Sequence, residues 1–128
     1  MRLTQLNIET MKIYISGKIG RSAKISAATK KKFALREQAF ISMGYEVFNP
    51  TTSGLGEKAE ALAAANGTDF YTEVLLLDLM ELKKCDAIFM LKDYRQSHGA
   101  LAELAFAIAI GKRIYGETAK GARRWIIG

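Results

Sequence analysis

Four short runs rich in β-branched, aromatic or apolar residues constrain this chain most: KIYIS (Lys12–Ser16), YEVF (Tyr45–Phe48), AIFML (Ala87–Leu91) and RIYG (Arg113–Gly116). Each reads as a strand bounded by Gly, Pro, Asn or Asp. Between them lie helical stretches. Ser22–Met43 contains no Gly or Pro and stops at Gly44, Asp69–Lys84 has helical period, and Gly99–Ile110 stops at Gly111. Strand and helix in alternation imply parallel β-α units, and a continuous apolar strand such as AIFML fits a sheet covered on both faces. The expectation is an α/β fold: an open, doubly wound (Rossmann- or flavodoxin-like) parallel sheet of four or five strands, with helices on both faces. A chain of 128 residues makes one domain over 1–128. Met1–Thr10 is set apart as a candidate N-terminal extension, because Met11 reads as a natural start. Thr51–Thr68, with Gly54, Gly56 and Gly67, reads as a mobile loop or loose short helix, a candidate lid.

Composition narrows the class. The longest apolar run is the seven residues Leu104–Ile110, well short of the roughly 18–20 a membrane span needs. MRLTQLNIET lacks an apolar core of signal-peptide length, so a soluble cytoplasmic protein is expected. With one Cys (Cys85) and one His (His98), the chain offers no internal disulfide and no Cys- or His-based metal site. The net charge of +6 favours anionic partners. The aromatic residues fall mostly at core-like positions, so no stacking platform for nucleic acid is evident and that class is disfavoured. The Lys30–Lys32 run reads as a solvated helix face.

In SHGALAELAFAIAIG, ten of the eleven residues between Gly99 and Gly111 are apolar and the eleventh is Glu103. A helix apolar on every side is normally buried, and an unpaired carboxylate there costs several kcal/mol. Ligands of open parallel sheets lie beyond the carboxyl ends of the strands. That rule nominates the loop after the first strand (Gly17, Lys18, Ile19, Arg21), the loop after the second (Asn49, Pro50) and Lys92–Gly99 after the third. Glu103 stands in the first turns of the helix leaving the third loop. Asp78 belongs to the same picture: Tyr71, Val74, Leu75, Leu82 and Cys85 form one helical stripe, and Asp78 falls near its middle. Two carboxylates from helices either side of one strand suggest a shared pocket with divided roles, one an ionised nucleophile and one a proton donor. Asp86 reads as structural and Asp69 as a helix cap. YISGKIGR, with Gly17 and Gly20 beside Lys18 and Arg21, has the makings of a phosphate-approaching turn, although it matches neither G-x-G-x-x-G nor a Walker A sequence.

Together KIYISGKI, GYEVFNP, DLMELKKCDAIFML and SHGALAELAFAIAIGKRI resemble the nucleoside 2-deoxyribosyltransferase-like family, which includes deoxynucleoside 5'-monophosphate N-glycosidases. The likeness runs from about Met11 to Tyr115 and is nearest to a compact prokaryotic branch. It implies that Glu103 is the nucleophile attacking C1' of the sugar and that Asp78 orients and protonates the departing base. Tyr14 and Gly17 would line the sugar and its 5' end, Ser97 and Gly99 would contact the 5' group, and the apolar helices would form a homodimer or higher homo-oligomer. The substrate would be a small nucleoside or nucleotide, with hydrolysis or base exchange as the reaction and no metal or redox cofactor. The chain departs from the pattern in four places. Lys18 replaces a Ser, Gly20 replaces an Arg with Arg21 one step later, LKDYRQS is one residue longer, and the tail offers only Arg123 and Arg124 where some relatives supply a polar residue. The alternative is a non-catalytic nucleotide-binding sensor of the same fold.

Overall fold

The computed structural model describes residues 10–118 and 121–125; the candidate extension, apart from Thr10, and the last three residues lie outside them, as do the side chains of Arg123 and Arg124. In chain order the elements are β1 (Lys12–Ser16), α1 (Ala27–Ser42), β2 (Glu46–Phe48), α2 (Leu55–Asn66), α3 (Phe70–Lys83), β3 (Ala87–Met90), a 3-10 turn (Tyr94–Gln96), α4 (His98–Ala109), β4 (Arg113–Thr118) and β5 (Gly121–Trp125). The sheet order is β2-β1-β3-β4-β5. The first four strands pair in parallel, as expected of a doubly wound sheet. β5 pairs antiparallel with β4 instead. Only two residues separate these strands, and a parallel pair needs a crossover of about a dozen or more.

Side-chain alternation divides the core in two. Ile13 and Ile15 of β1, with Ala87 and Phe89 of β3, face α1 and its Phe33 and Phe40. Tyr14, Ile88, Met90 and Ile114 face α3 and α4, meeting Leu82, Ala100 and Ala107. All four residues of β3 are buried, because both faces of the central strand are covered. Phe40 packs edge-on to Phe89 at 5.0 Å between ring centroids. No helix among the described residues is long and apolar enough to cross a membrane.

Local chemistry sets the ends. α1 begins at Ala27, five residues later than Ser22, because Ser26 Oγ accepts the Thr29 N–H at 3.1 Å and caps it. Asp69 caps α3 in the same way through the Thr72 N–H, and Ser97 caps α4 through the Ala100 N–H. Asp86 is structural: its Oδ2 accepts the Lys12 N–H at 2.8 Å and ties β3 to β1.

Of the two forms expected for Thr51–Thr68, a loop or a short helix, the helix is present: the segment carries α2, twelve residues packed on α3. Its bounding glycines, Gly54 (φ 79°) and Gly67 (φ 68°), take left-handed turns and mark the helix ends. One expectation is corrected: α4 is not buried all round. Only Ala100, Glu103 and Ala107 are buried, while Leu101 and Ile108 are more than a third exposed, as are Leu76 and Met80 on α3.

Removing the central aromatic should test this account of the core. Phe89→Ala is expected to lower unfolding stability by roughly 3–5 kcal/mol, read as a reduced denaturant midpoint at unchanged slope.

Candidate active site

The cleft opens at the carboxyl ends of β1 and β3. Its walls come from the first loop (Gly17, Ile19, Ile25), Pro50, Gly56 of α2, one face of α3 (Phe70, Tyr71, Val74, Leu75) and the start of α4 (Ser97, Gly99, Ala100), with Asp78 and Glu103 among them. The cleft is part enclosed and part open to solvent.

Glu103 is held by two hydroxyls of β1. Tyr14 donates to Oε2 and Ser16 donates to Oε1, each at 2.6 Å. Residues two apart in a strand share a face, so Tyr14 and Ser16 reach the same helix. Phe48 of β2 stacks on Tyr14 at 5.1 Å and braces it. Burial raises the Glu103 carboxyl to about 7, against the lowering effect of the two hydrogen bonds. Burial, with the charges of Glu103 and Asp78 added, pushes the Tyr14 phenol well above its ordinary value, so it stays a donor.

Asp78 is the contrasting group. Its Oδ1 is buried with no hydrogen-bond partner among the described residues. Burial, then the Glu103 and Glu81 charges, raise its carboxyl to about 8. Between pH 7 and 8 the pair therefore divides into an ionised Glu103 and a neutral, proton-bearing Asp78.

The profile of the family described as Domain of unknown function (DUF4406) matches residues 11–115, more than four-fifths of the chain. The chain belongs to the DUF4406 family. DUF4406 lies within the nucleoside 2-deoxyribosyltransferase-like clan. No curated protein matches the chain.

Most of the residues nominated from sequence gather at this DUF4406 cleft. Gly17, Ile19, Pro50, Asp78, Ser97, Gly99 and Glu103 line it, and Tyr14 lies directly behind Glu103. Two glycines permit close packing. A Cβ on Gly17 would come within 2.9 Å of both Leu91 Cδ1 and Cβ, and one on Gly99 within 2.6 Å of the Tyr71 hydroxyl.

Besides Tyr14, three nominated residues stand outside the lining. Asn49 turns inward: its amide donates to Glu37 at 3.0 Å, and its Oδ1 accepts from the Thr51 N–H and hydroxyl. It shapes the second loop. Lys18 takes part through its backbone, the N–H donating to Asp93 Oδ1 and the carbonyl accepting from Lys32 Nζ. Lys32 also pairs with Asp93, so the first and third loops are tied through α1. Arg21 lies over the Tyr71 ring, 3.9 Å from its centroid, a cation–π contact that sets its charge beside a wall residue. Sequence reasoning passed over Ser16, although its i, i+2 relation to Tyr14 in a strand was the available signal. Among the described residues no group of three His, Cys, Asp or Glu side chains is arranged to hold a metal ion.

The raised Asp78 carboxyl makes a stability prediction with a definite sign. A carboxyl raised in the folded state contributes stability below its unfolded value, near pH 4, and loses it as the pH rises through about 8. Asp78→Asn removes the buried charge. The variant should melt close to the parent near pH 3.5 and increasingly above it as the pH rises toward 8, by about 3 °C or more at pH 9, measured by calorimetry across that range.

Proposed function

We propose that this chain cleaves the N-glycosidic bond of a nucleoside or its 5'-monophosphate, by a retaining mechanism with Glu103 as nucleophile and Asp78 as acid. One observation carries the reading: an ionisable carboxylate oriented by two buried hydroxyls shares a cleft with a second carboxyl whose Oδ1 has no partner among the described residues and which holds its proton at neutral pH. Membership of a family in the deoxyribosyltransferase-like clan supports it.

In the first step a Glu103 oxygen bonds to C1' of the sugar while the C1'–N bond breaks. The electron pair of that bond goes to the base nitrogen, which takes the proton of Asp78. In the second step water, or the nitrogen of another base, attacks C1' from the vacated face. The ester C1'–O bond breaks with its electrons returning to Glu103, and the proton of the acceptor passes to the Asp78 carboxylate. Both groups are then restored. The apolar wall of Phe70, Val74 and Leu75 offers a surface for a flat base. An anionic 5' end would find the N-terminus of α4, where Ser97 and Gly99 line the cleft, with Arg21 close by over Tyr71.

We extend the proposal to a homodimer through the outer faces of α3 and α4. Leu76, Met80, Leu101 and Ile108 are exposed on two adjacent helices, an apolar surface that a second copy could cover. Light scattering on the purified chain should give a dimer mass, and the double variant Leu76→Glu, Met80→Glu should return it to a monomer.

Base release tests the chemistry. Incubating the protein with deoxynucleosides, ribonucleosides and their 5'-monophosphates, with and without an acceptor base, should liberate or exchange base. Glu103→Ala should reduce the rate by roughly 10³-fold or more. The rate should climb as Glu103 ionises near pH 7 and fall as Asp78 loses its proton near pH 8, with the optimum between. Absence of turnover across the panel, with nucleotides still protecting the fold against heat, would favour a nucleotide sensor.

A further inference from the structure

Ser16 is fully buried and does not line the cleft, so it has no route to a substrate. Its hydroxyl is nevertheless aimed at the one group on which the proposed chemistry depends, donating to Glu103 Oε1 at 2.6 Å. The backbone beneath it is fixed. Ser16 lies opposite Met90 in the β1–β3 ladder, and its carbonyl accepts the Leu91 N–H at 2.8 Å. At the next residue, Gly17, an added Cβ would come within 2.9 Å of Leu91, so the strand end sits close against the β3 exit. A hydroxyl on so rigid a base defines a point in space, and α4 brings Glu103 to it.

Tyr14 alone would leave the carboxylate free to turn about its last torsion, because a single hydrogen bond fixes one oxygen only. The Ser16 contact closes the second. With both oxygens engaged from the β1 side, the carboxylate plane is set and the remaining lone pairs are left for the cleft. Two hydroxyl donors also favour the ionised form over the acid, which offers one fewer acceptor pair.

We propose that Ser16 is a positioning residue, holding the Glu103 carboxylate in one orientation and in its ionised form so that it can act as a nucleophile at neutral pH. This role rests on the glycosidase reading above, but the property it controls is measurable without any substrate.

The test is a titration of Glu103 itself. Protein labelled with ¹³C at the Glu side-chain carboxyl carbon, with the Glu103 signal assigned by its loss in Glu103→Gln, is followed from pH 4 to 10 in the parent, Ser16→Ala and Ser16→Cys. Losing a hydrogen bond to a charged group should move the Glu103 midpoint upward by roughly one unit in the alanine variant. Cysteine, close in size and a weaker donor, should move it less. On a nucleoside that the parent turns over, the rising limb of the rate profile should shift by the same amount and kcat should fall with KM unchanged. A Glu103 midpoint that stays put in folded Ser16→Ala overturns the proposal. If that variant does not fold, an unmoved midpoint in Ser16→Cys together with a parental rate profile overturns it equally. Failure of the parent to release base from any substrate counts against the glycosidase reading alone, since the carboxyl titration tests the role of Ser16 independently of turnover.

Discussion

The contact between β1 and α4 through Glu103 organises the end of the molecule at which the cleft opens. A carboxylate taken out of water loses hydration that only strong hydrogen bonds can replace, and here Tyr14 and Ser16 supply them from one face of one strand. For those hydroxyls to reach Glu103, α4 must lie across β1 and β3 with its second turn over the strand ends. Ser97 secures that placement by capping α4, and Ala100 and Ala107 secure it by being small enough to let the helix settle on the sheet. The cleft mouth, the α4 N-terminus and the position of Asp78 on the neighbouring α3 all follow from that docking.

Asp78 illustrates how environment divides two like groups. Both carboxyls are buried, yet Glu103 receives two donors while Asp78 Oδ1 has none among the described residues. The charged form is therefore easier to hold on Glu103 than on Asp78, whose ionisation is further opposed by the charge already on Glu103. Asymmetry of this kind is what a reaction needing an anion and a proton donor in one cleft requires, and it arises here from hydroxyl placement. A parallel device shapes the first loop. Asp93 accepts from the Lys18 N–H and pairs with Lys32, so loop, helix and third-strand exit are held together by one carboxylate.

Much of this was legible in the residues. The strand runs, the cap at Asp69, the structural use of Asp86 and the convergence of Asp78 with Glu103 follow from alternation, helical period and the rule that ligands sit at strand carboxyl ends. α2 was harder to read because its Ala-rich turns lie between glycines that signal either a loop or a helix boundary, and only the left-handed conformations of Gly54 and Gly67 decide between them. The open outer face of α4 contradicts burial as the reason for an all-apolar helix, because apolarity shows only that a surface avoids water and not what covers it. Asn49 occupies a nominated ligand loop but spends its side chain on Glu37 and Thr51, partners whose approach no spacing rule discloses.

The sequence by itself determined the alternation of strands and helices, the end of the sheet at which the cleft opens, and the two carboxylates that line it. These are consequences of local periodicity and of charge in an apolar setting, both readable along one dimension. Only the tertiary structure decided that Ser16 faces Glu103, that the Lys18 backbone meets Asp93 and Lys32, that Arg21 rests on Tyr71, and that β5 turns back on β4. Hydrogen bonds and ring contacts between residues far apart in the chain depend on how strands and helices are laid across one another to within about an ångström, and that information lies in packing and not in pattern.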